Sequence, residues 1–347
     1  MRQLIYLAIV EAKLKEEIPN EHLEKLQNFS KRSTFLNLAH EKELLEILKA
    51  LNEGIRAIPY KGISLSKVIF NSSNLREFSD IDLLINRNDL EKIGQILIQR
   101  GYEKEFQVPE FYWPTYKKYN CEYNYDFYND DRRIFHVEPH WTLGKRLYQL
   151  HFDQDNFADF ITPIEIGNEK VEGFNLEGLF ITTCIHHIAK EEWFRLKHVV
   201  DLAGILNKFN SQLSWDLILK KGQELDIENI ILLGIAIPHE VFGINLPTNI
   251  LSKIESSKIL KLQKRYTESL ISVITANRSW AAFFDNMLFH IQLRKNWLTK
   301  FKIIYYHLLQ VIKPNIGDFD EETKNQWQYF LLYFKKPFRL WKTYFKT

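Results

Sequence analysis

The sequence predicts an α+β protein: N-terminal helices, then a small mixed sheet, then a helical C-terminal domain. Three observations carry this. The first 55 residues are helical in pattern, with leucines at helical spacing and a glycine stop in LLEILKALNEG. From residue 55 to about 141, short apolar runs alternate with helix-like segments. From Leu176 onward almost every stretch has helical periodicity. The expected units are an N-terminal extension (1–39), a mixed-sheet core (40–150) and a helical domain (151–347).

Taken in order, residues 55–60 form a short buried strand, and Gly62 to Phe70 a helix leaving it. Asn71 to Asn74 is a loop, and Asp80 to Asn86 a second strand. Asn88 caps a helix that runs through Arg100 and stops at Gly101. Tyr102 to Gln107 reads as a third strand. Cys121–Tyr128 and Ile134–His140 alternate around the turn Asn129-Asp130-Asp131, as a hairpin does. Helical and strand-like pieces mix in 142–176, where the unit boundary falls. Pro238, Pro247 and Pro314 punctuate the helical part.

The balance of 46 basic and 44 acidic residues argues neither for nor against a polyanionic partner. Two distant cysteines, Cys121 and Cys184, make no disulfide framework and fit a reducing compartment. Residues 1–10 are apolar but run into EAKLKEE with no small-residue cleavage site, so they read as the first turns of a core helix. No window reaches the ~18 uninterrupted apolar residues of a spanning helix. A cytoplasmic location is expected.

The segment Lys61 to Leu84 carries chemistry. Asp80 and Asp82 stand at i and i+2 of a strand, so both carboxylates point to one face. Their mutual repulsion is relieved by a cation, and hard oxygen ligands favour Mg²⁺, which shares itself with substrate phosphates. Gly62, between a strand and a helix, lets a phosphate approach the helix N–H groups, with Lys61 adding charge and Ser64 a hydroxyl. Glu138, in a late strand, is a third carboxylate able to join the cation or accept a proton. His136 and His140 flank it on the same face, but no cysteine or second histidine cluster completes a tetrahedral zinc set.

In combination, KGxxL (61–65), Arg76, DIDLL (80–84), Gly101-Tyr102 and VEPHW (137–141) resemble the uncharacterised bacterial nucleotidyltransferase family of the polymerase-beta-type superfamily. The likeness extends through HHIAKEEWFRLKHVVDLAGIL (186–206) and covers roughly residues 40–210. It implies a catalytic core in which Asp80 and Asp82 bind Mg²⁺ and Glu138 stands at the third acidic position. Lys61, Gly62 and Ser64 would hold phosphates. Arg76 would orient Asp82 or Asp80 through a bidentate contact. Two departures stand out: Glu138 replaces the commoner aspartate, and Ile63 follows Gly62 where the wider superfamily has serine.

The expected reaction moves NMP from NTP, ATP first among them, to an acceptor that is a small molecule, a transfer RNA or a protein. The alternative is a non-catalytic adaptor that binds nucleotide, nucleic acid or a partner protein. Lys190 either reaches a triphosphate across the cleft or belongs to a salt-bridged helix face in which Asp201 pairs with Lys197. Residues 290–347 carry 11 Lys/Arg against 4 Asp/Glu, interleaved with aromatics. That suits nucleic acid or an anionic membrane surface, or a terminal helix with an aromatic core stripe and solvated lysines.

Overall fold

The computed structural model describes residues 2–51, 54–72, 75–191, 196–264, 280–319 and 325–344. Helix α1 (Arg2–Glu11) lies on the long helix α2 (Asn20–Leu51). Only Gln3 of α1 is buried, so α1 is a surface helix and not the expected core one. In α2 the buried positions Asn37, His40, Leu44, Ile47 and Leu51 recur every three or four residues, the stripe of a helix with one face on a core.

Next come β1 (Ala57–Pro59), α3 (Gly62–Phe70), β2 (Ile81–Ile85), α4 (Leu90–Gln99), β3 (Glu103–Lys104), α5 (Trp113–Tyr119), β4 (Tyr125–Asn129) and β5 (Arg132–His140). The five strands form one mixed sheet in the order β1-β2-β5-β4-β3. Only β2 and β5 run parallel, with Asp82 opposite Glu138. Every residue of β2 is buried, as expected of a central strand covered on both faces. One face, through Leu83, Ile85 and Val137, packs on Leu44 and Ile47 of α2 and Leu97 of α4. The other face, through Ile58, Tyr60 and Leu84, belongs to an apolar core continuous with the helical half. Successive residues of a strand point to opposite faces, so Asp82, beside Leu84, faces that half.

The hairpin β6 (Ile161–Ile166) and β7 (Glu169–Phe174) fills much of the mixed stretch and packs beside β1. Helix α6 (Leu176–Cys184), capped by the Asn175 side chain, runs into a wider π-helical turn, Ile185–Lys190. Helices α7 (Leu196–Phe209), α8 (Trp215–Glu224), α9 (Glu228–Phe242) and α10 (Thr248–Glu255) follow, then Trp280–Gln292, Trp297–Ile312 and Gln326–Tyr344.

Several local expectations change. Pro238 sits inside α9 and does not end it. The side chain that caps the turn before α4 is Asn86, accepting the Asn88 N–H. The third strand shrinks to two residues, and the next apolar stretch becomes helix α5, opened by Pro114 in its first turn. The hairpin strand starts at Tyr125, with Glu122 only bridging to His140. Part of the 71–74 loop, together with Trp193 and Arg195, lies outside the described residues.

Candidate active site

Gly62 sets the geometry of the turn after β1. Its φ of +48° is left-handed, which a side chain strains, and a Cβ there would sit 3.5 Å from the Asp80 carbonyl oxygen. The turn is therefore folded against the start of β2. Ser64 helps to close it: its N–H donates to the Lys61 carbonyl at 3.0 Å, and its hydroxyl donates to the Pro59 carbonyl at 3.2 Å. The hydroxyl expected to meet phosphate thus holds the backbone in this state.

The turn aims Lys61 into the sheet's inner face. Its ammonium is buried, 2.5 Å from Asp82 Oδ1. The same oxygen lies 3.1 Å from His140 Nε2, which is also 3.2 Å from Glu138 Oε2. Parallel pairing explains the meeting, because register partners on neighbouring strands project to one face. His136, Glu138 and His140 alternate along β5, so His136 reaches Glu138 from the other side, 3.1 Å from Oε1. His136 also lies 2.6 Å from Asp126 of β4. Asp80 stands one residue before β2, half-buried, and its charge is felt by Lys61 and Arg76. The two aspartates are therefore not both strand residues, as their spacing had suggested.

Two expected contacts are made elsewhere. Arg76 does pair in bidentate fashion, but with Asp201 of α7: Nε and Nη2 each donate to one carboxylate oxygen at 2.9 Å. Asp82 is already engaged by Lys61 and His140, whereas Asp201 presents both oxygens to the guanidinium. Asp201 also lies 3.0 Å from His187 Nε2, so the expected Lys197–Asp201 pair gives way to a buried Arg76–Asp201–His187 chain. Lys190 comes from the π-helical turn and does reach across to the core, where it sits 2.5 Å from Glu122 Oε2. Glu122 in turn lies 2.9 Å from His140 Nδ1.

Burial opposes charge on Lys61, Lys190, Glu138, His136 and His140, and at these five their neighbours outweigh it. Asp82, Glu138 and Asp80 hold Lys61 protonated, and Glu122 does the same for Lys190. Burial would raise the Glu138 carboxyl; hydrogen bonds to His136 and His140 keep it far below the usual carboxylate range. Burial would lower His136, but Glu138 and Asp126 push it up to about 9. His140 is held well above an ordinary histidine despite burial, with Tyr60 and Glu122 as the leading neighbours. The Tyr60 ring stands edge-on to His140, with centroids 5.5 Å apart.

Among the described residues, ligand atoms within 4.8 Å of one another come from Asp82, Glu138 and His140, and from Cys121, Glu122 and His140. Two carboxylates from adjacent strands, Asp82 and Glu138, suit a hard divalent cation; Asp80 is not among the groups whose ligand atoms lie within 4.8 Å of one another. The donor set fits Mg²⁺ once Lys61 moves aside. Cys121 enters the neighbourhood, contrary to expectation. A softer metal there is opposed by Lys190 on Glu122 and by the proton on His140.

Sequence reasoning missed Glu122, Tyr60 and the bridging part of His140. The H-x-E-x-H alternation of β5 signalled one shared face, but Glu122 had no local signal.

The chain matches the profile of the uncharacterised nucleotidyltransferases over residues 1–243. Among solved structures it is similar to an antigenic nucleotidyltransferase-like protein from Paracoccidioides brasiliensis, at 14% identity and a TM-score of 0.30, over 56% of this chain and 91% of that one. No curated protein matches it. The profile takes in the strand pair bearing Asp82 and Glu138, the Gly62 turn and the helix bearing Asp201, and on that match the chain belongs to the uncharacterised nucleotidyltransferase family.

Proposed function

We propose that this chain is a Mg²⁺-dependent nucleotidyltransferase that moves NMP from NTP, ATP first among them, to an acceptor hydroxyl or other nucleophile. The observation that carries the proposal is the pairing of Asp82 with Glu138 on parallel strands, facing the helical half beside the Gly62 turn. The acceptor oxygen attacks the α-phosphorus in line, the bond to the bridging oxygen breaks, pyrophosphate leaves and the hydroxyl proton passes to solvent water. A divalent cation held by Asp80, Asp82 and Glu138 would supply positive charge to the transferring phosphate and the leaving oxygen.

The chain's own residues do the rest. Lys61 leaves Asp82 to the cation and, with Lys190 from the other side of the site, turns to the phosphates. Gly62 lets the phosphates approach the N-terminus of α3. Glu138, kept strongly acidic by two histidines, is a poor proton acceptor, which favours a cation-holding role over that of general base. Arg76 acts as a positioning residue that ties the core to α7 through Asp201. We read the reaction as cytoplasmic, a reading that the free Cys121 and Cys184 support.

One observation favours the adaptor alternative. Lysines already neutralise Asp82 and Glu122, each at 2.5 Å. Calorimetry with NTP and Mg²⁺, followed by a pyrophosphate assay, separates the two: an adaptor binds without turnover.

The decisive test is Asp80→Asn with Asp82→Asn. Mg²⁺-dependent transfer of label from α-³²P-NTP is expected to fall by about 10³-fold or more, the scale of several kcal/mol of lost charge stabilisation. The circular dichroism spectrum is expected to stay unchanged. Transfer retained in the folded double variant rules the assignment out.

A further inference from the structure

The last two helices carry a feature that nucleotidyl transfer does not use. On Trp297–Ile312, the side chains of Trp297, Phe301, Tyr305, Leu308 and Ile312 follow a helical repeat along one face, and all are exposed. Trp297 is 76% exposed. The opposite face is anchored by Ile303 and His307, both buried. The neighbouring helix Gln326–Tyr344 repeats the pattern with Trp327, Phe330, Leu331, Phe334 and Phe338, of which Trp327 is 81% exposed. Its inward side holds Leu332 and Lys336. Exposed apolar side chains repeated along one face of each helix mark a binding surface.

The charges identify what covers it. Neither helix contains an aspartate or glutamate. At 100° per residue, Lys300 and Lys302 fall on either side of the first stripe, and Lys335 borders the second. A second copy of this chain placed face to face would set these cations against each other with no carboxylate from either helix between them. Single-stranded nucleic acid stacks on rings, but Leu308, Ile312 and Leu331 offer it none. Tryptophan, phenylalanine and leucine on one face, bordered by lysine, match a helix lying in the headgroup layer of an anionic bilayer. No helix among the described residues is long and apolar enough to cross a membrane, so the contact is with the surface.

We propose that the aromatic faces of helices Trp297–Ile312 and Gln326–Tyr344 seat this protein on an anionic phospholipid surface. This stands independently of the nucleotidyl-transfer proposal.

The test is flotation of the full chain with extruded vesicles of phosphatidylcholine and phosphatidylglycerol (7:3), against vesicles of phosphatidylcholine alone. Binding is expected only in the first case or at least tenfold stronger there, falling as salt rises. Bromine-labelled lipid is expected to quench the wild-type tryptophan emission, and less so in Trp297→Phe. Phe301→Ser with Ile312→Ser is expected to weaken binding at least tenfold, and Lys300→Glu with Lys302→Glu likewise, both with unchanged circular dichroism. Absence of co-flotation and quenching overturns the proposal. So does binding indifferent to the surface variants. RNA retarded in a gel shift without vesicle binding, or a dimer abolished by Phe301→Ser without vesicle binding, also overturns it.

Discussion

His136 and His140 on the sheet, and His187 and His198 on the helical side, are all buried, yet they take opposite charge states. His136 sits between Asp126 and Glu138 and is pushed up to about 9 in spite of burial. Burial wins at His198, which stacks on His187 at 4.4 Å and is pushed down to about 2. His187 is also lowered by burial, although Asp201 lies 3.0 Å away. The difference lies in what else the carboxylate does. Asp201 already gives both oxygens to Arg76, so little of its field is left for an imidazole. Burial alone does not set the protonation of a histidine; the unmatched acid beside it does.

The strongest way to break this comparison is to remove Asp201. Asp201→Ala leaves the buried Arg76 guanidinium without its partner, and about 3–5 kcal/mol of stability is expected to be lost. Urea denaturation measures it. A loss below about 1 kcal/mol would mean that Asp80 and Asp82 take over the arginine.

Acid gives the next effect. His187 and His198 have folded pKa values below the unfolded value of about 6.5, so the unfolded chain binds more protons as pH falls. Their contribution is complete above that value and is lost below it. Moving from pH 7 to 5 is expected to cost about 2 kcal/mol for a histidine kept neutral throughout, such as His198. Asp201, held low chiefly by Arg76 against burial, adds its own loss only below about pH 4. Denaturation curves across this range are expected to show a shallower acid slope in His198→Phe, which keeps the stacked ring. An unaltered slope would contradict the neutral-histidine assignment.

The smallest effect sharpens the contrast from outside. Phe301→Ser removes a large apolar side chain that is 60% exposed, and its cost is expected to stay within about 0.5 kcal/mol. A cost of several kcal/mol in the same denaturation experiment would show that the face is covered in the free protein.

How much of this was legible in the sequence depended on distance along the chain. Gly62, Asp82 and the alternation through Glu138 were readable because turn and strand chemistry are local. The alternation of short apolar runs with helical segments marked out the small sheet, but not that β2 and β5 run parallel within it. The strand after α4 is shorter than its sequence suggests, because Tyr102 and Phe106 look like strand residues wherever they pack. Arg76 was expected to turn to Asp80 or Asp82, four and six positions away. Its partner, Asp201, is brought in by the packing of α7 on α3. Glu122 has no pattern around it, and its meeting with Lys190 depends on the π-helical turn that ends α6. The aromatic spacing of the final helices was visible, but which side faces outward is decided by what packs beneath them.

The contact between Lys61 and Asp82 bears on the order of events. A free divalent ion arriving alone meets a carboxylate whose charge is already balanced. A polyphosphate tail is the group able to draw the ammonium away. On the proposed mechanism, nucleotide and ion therefore load as a coupled pair, and manganese titrated into the protein is expected to bind more tightly as a non-hydrolysable nucleotide is raised. In Lys61→Met that dependence is expected to fade; affinity independent of nucleotide in the unaltered chain would disprove the coupling.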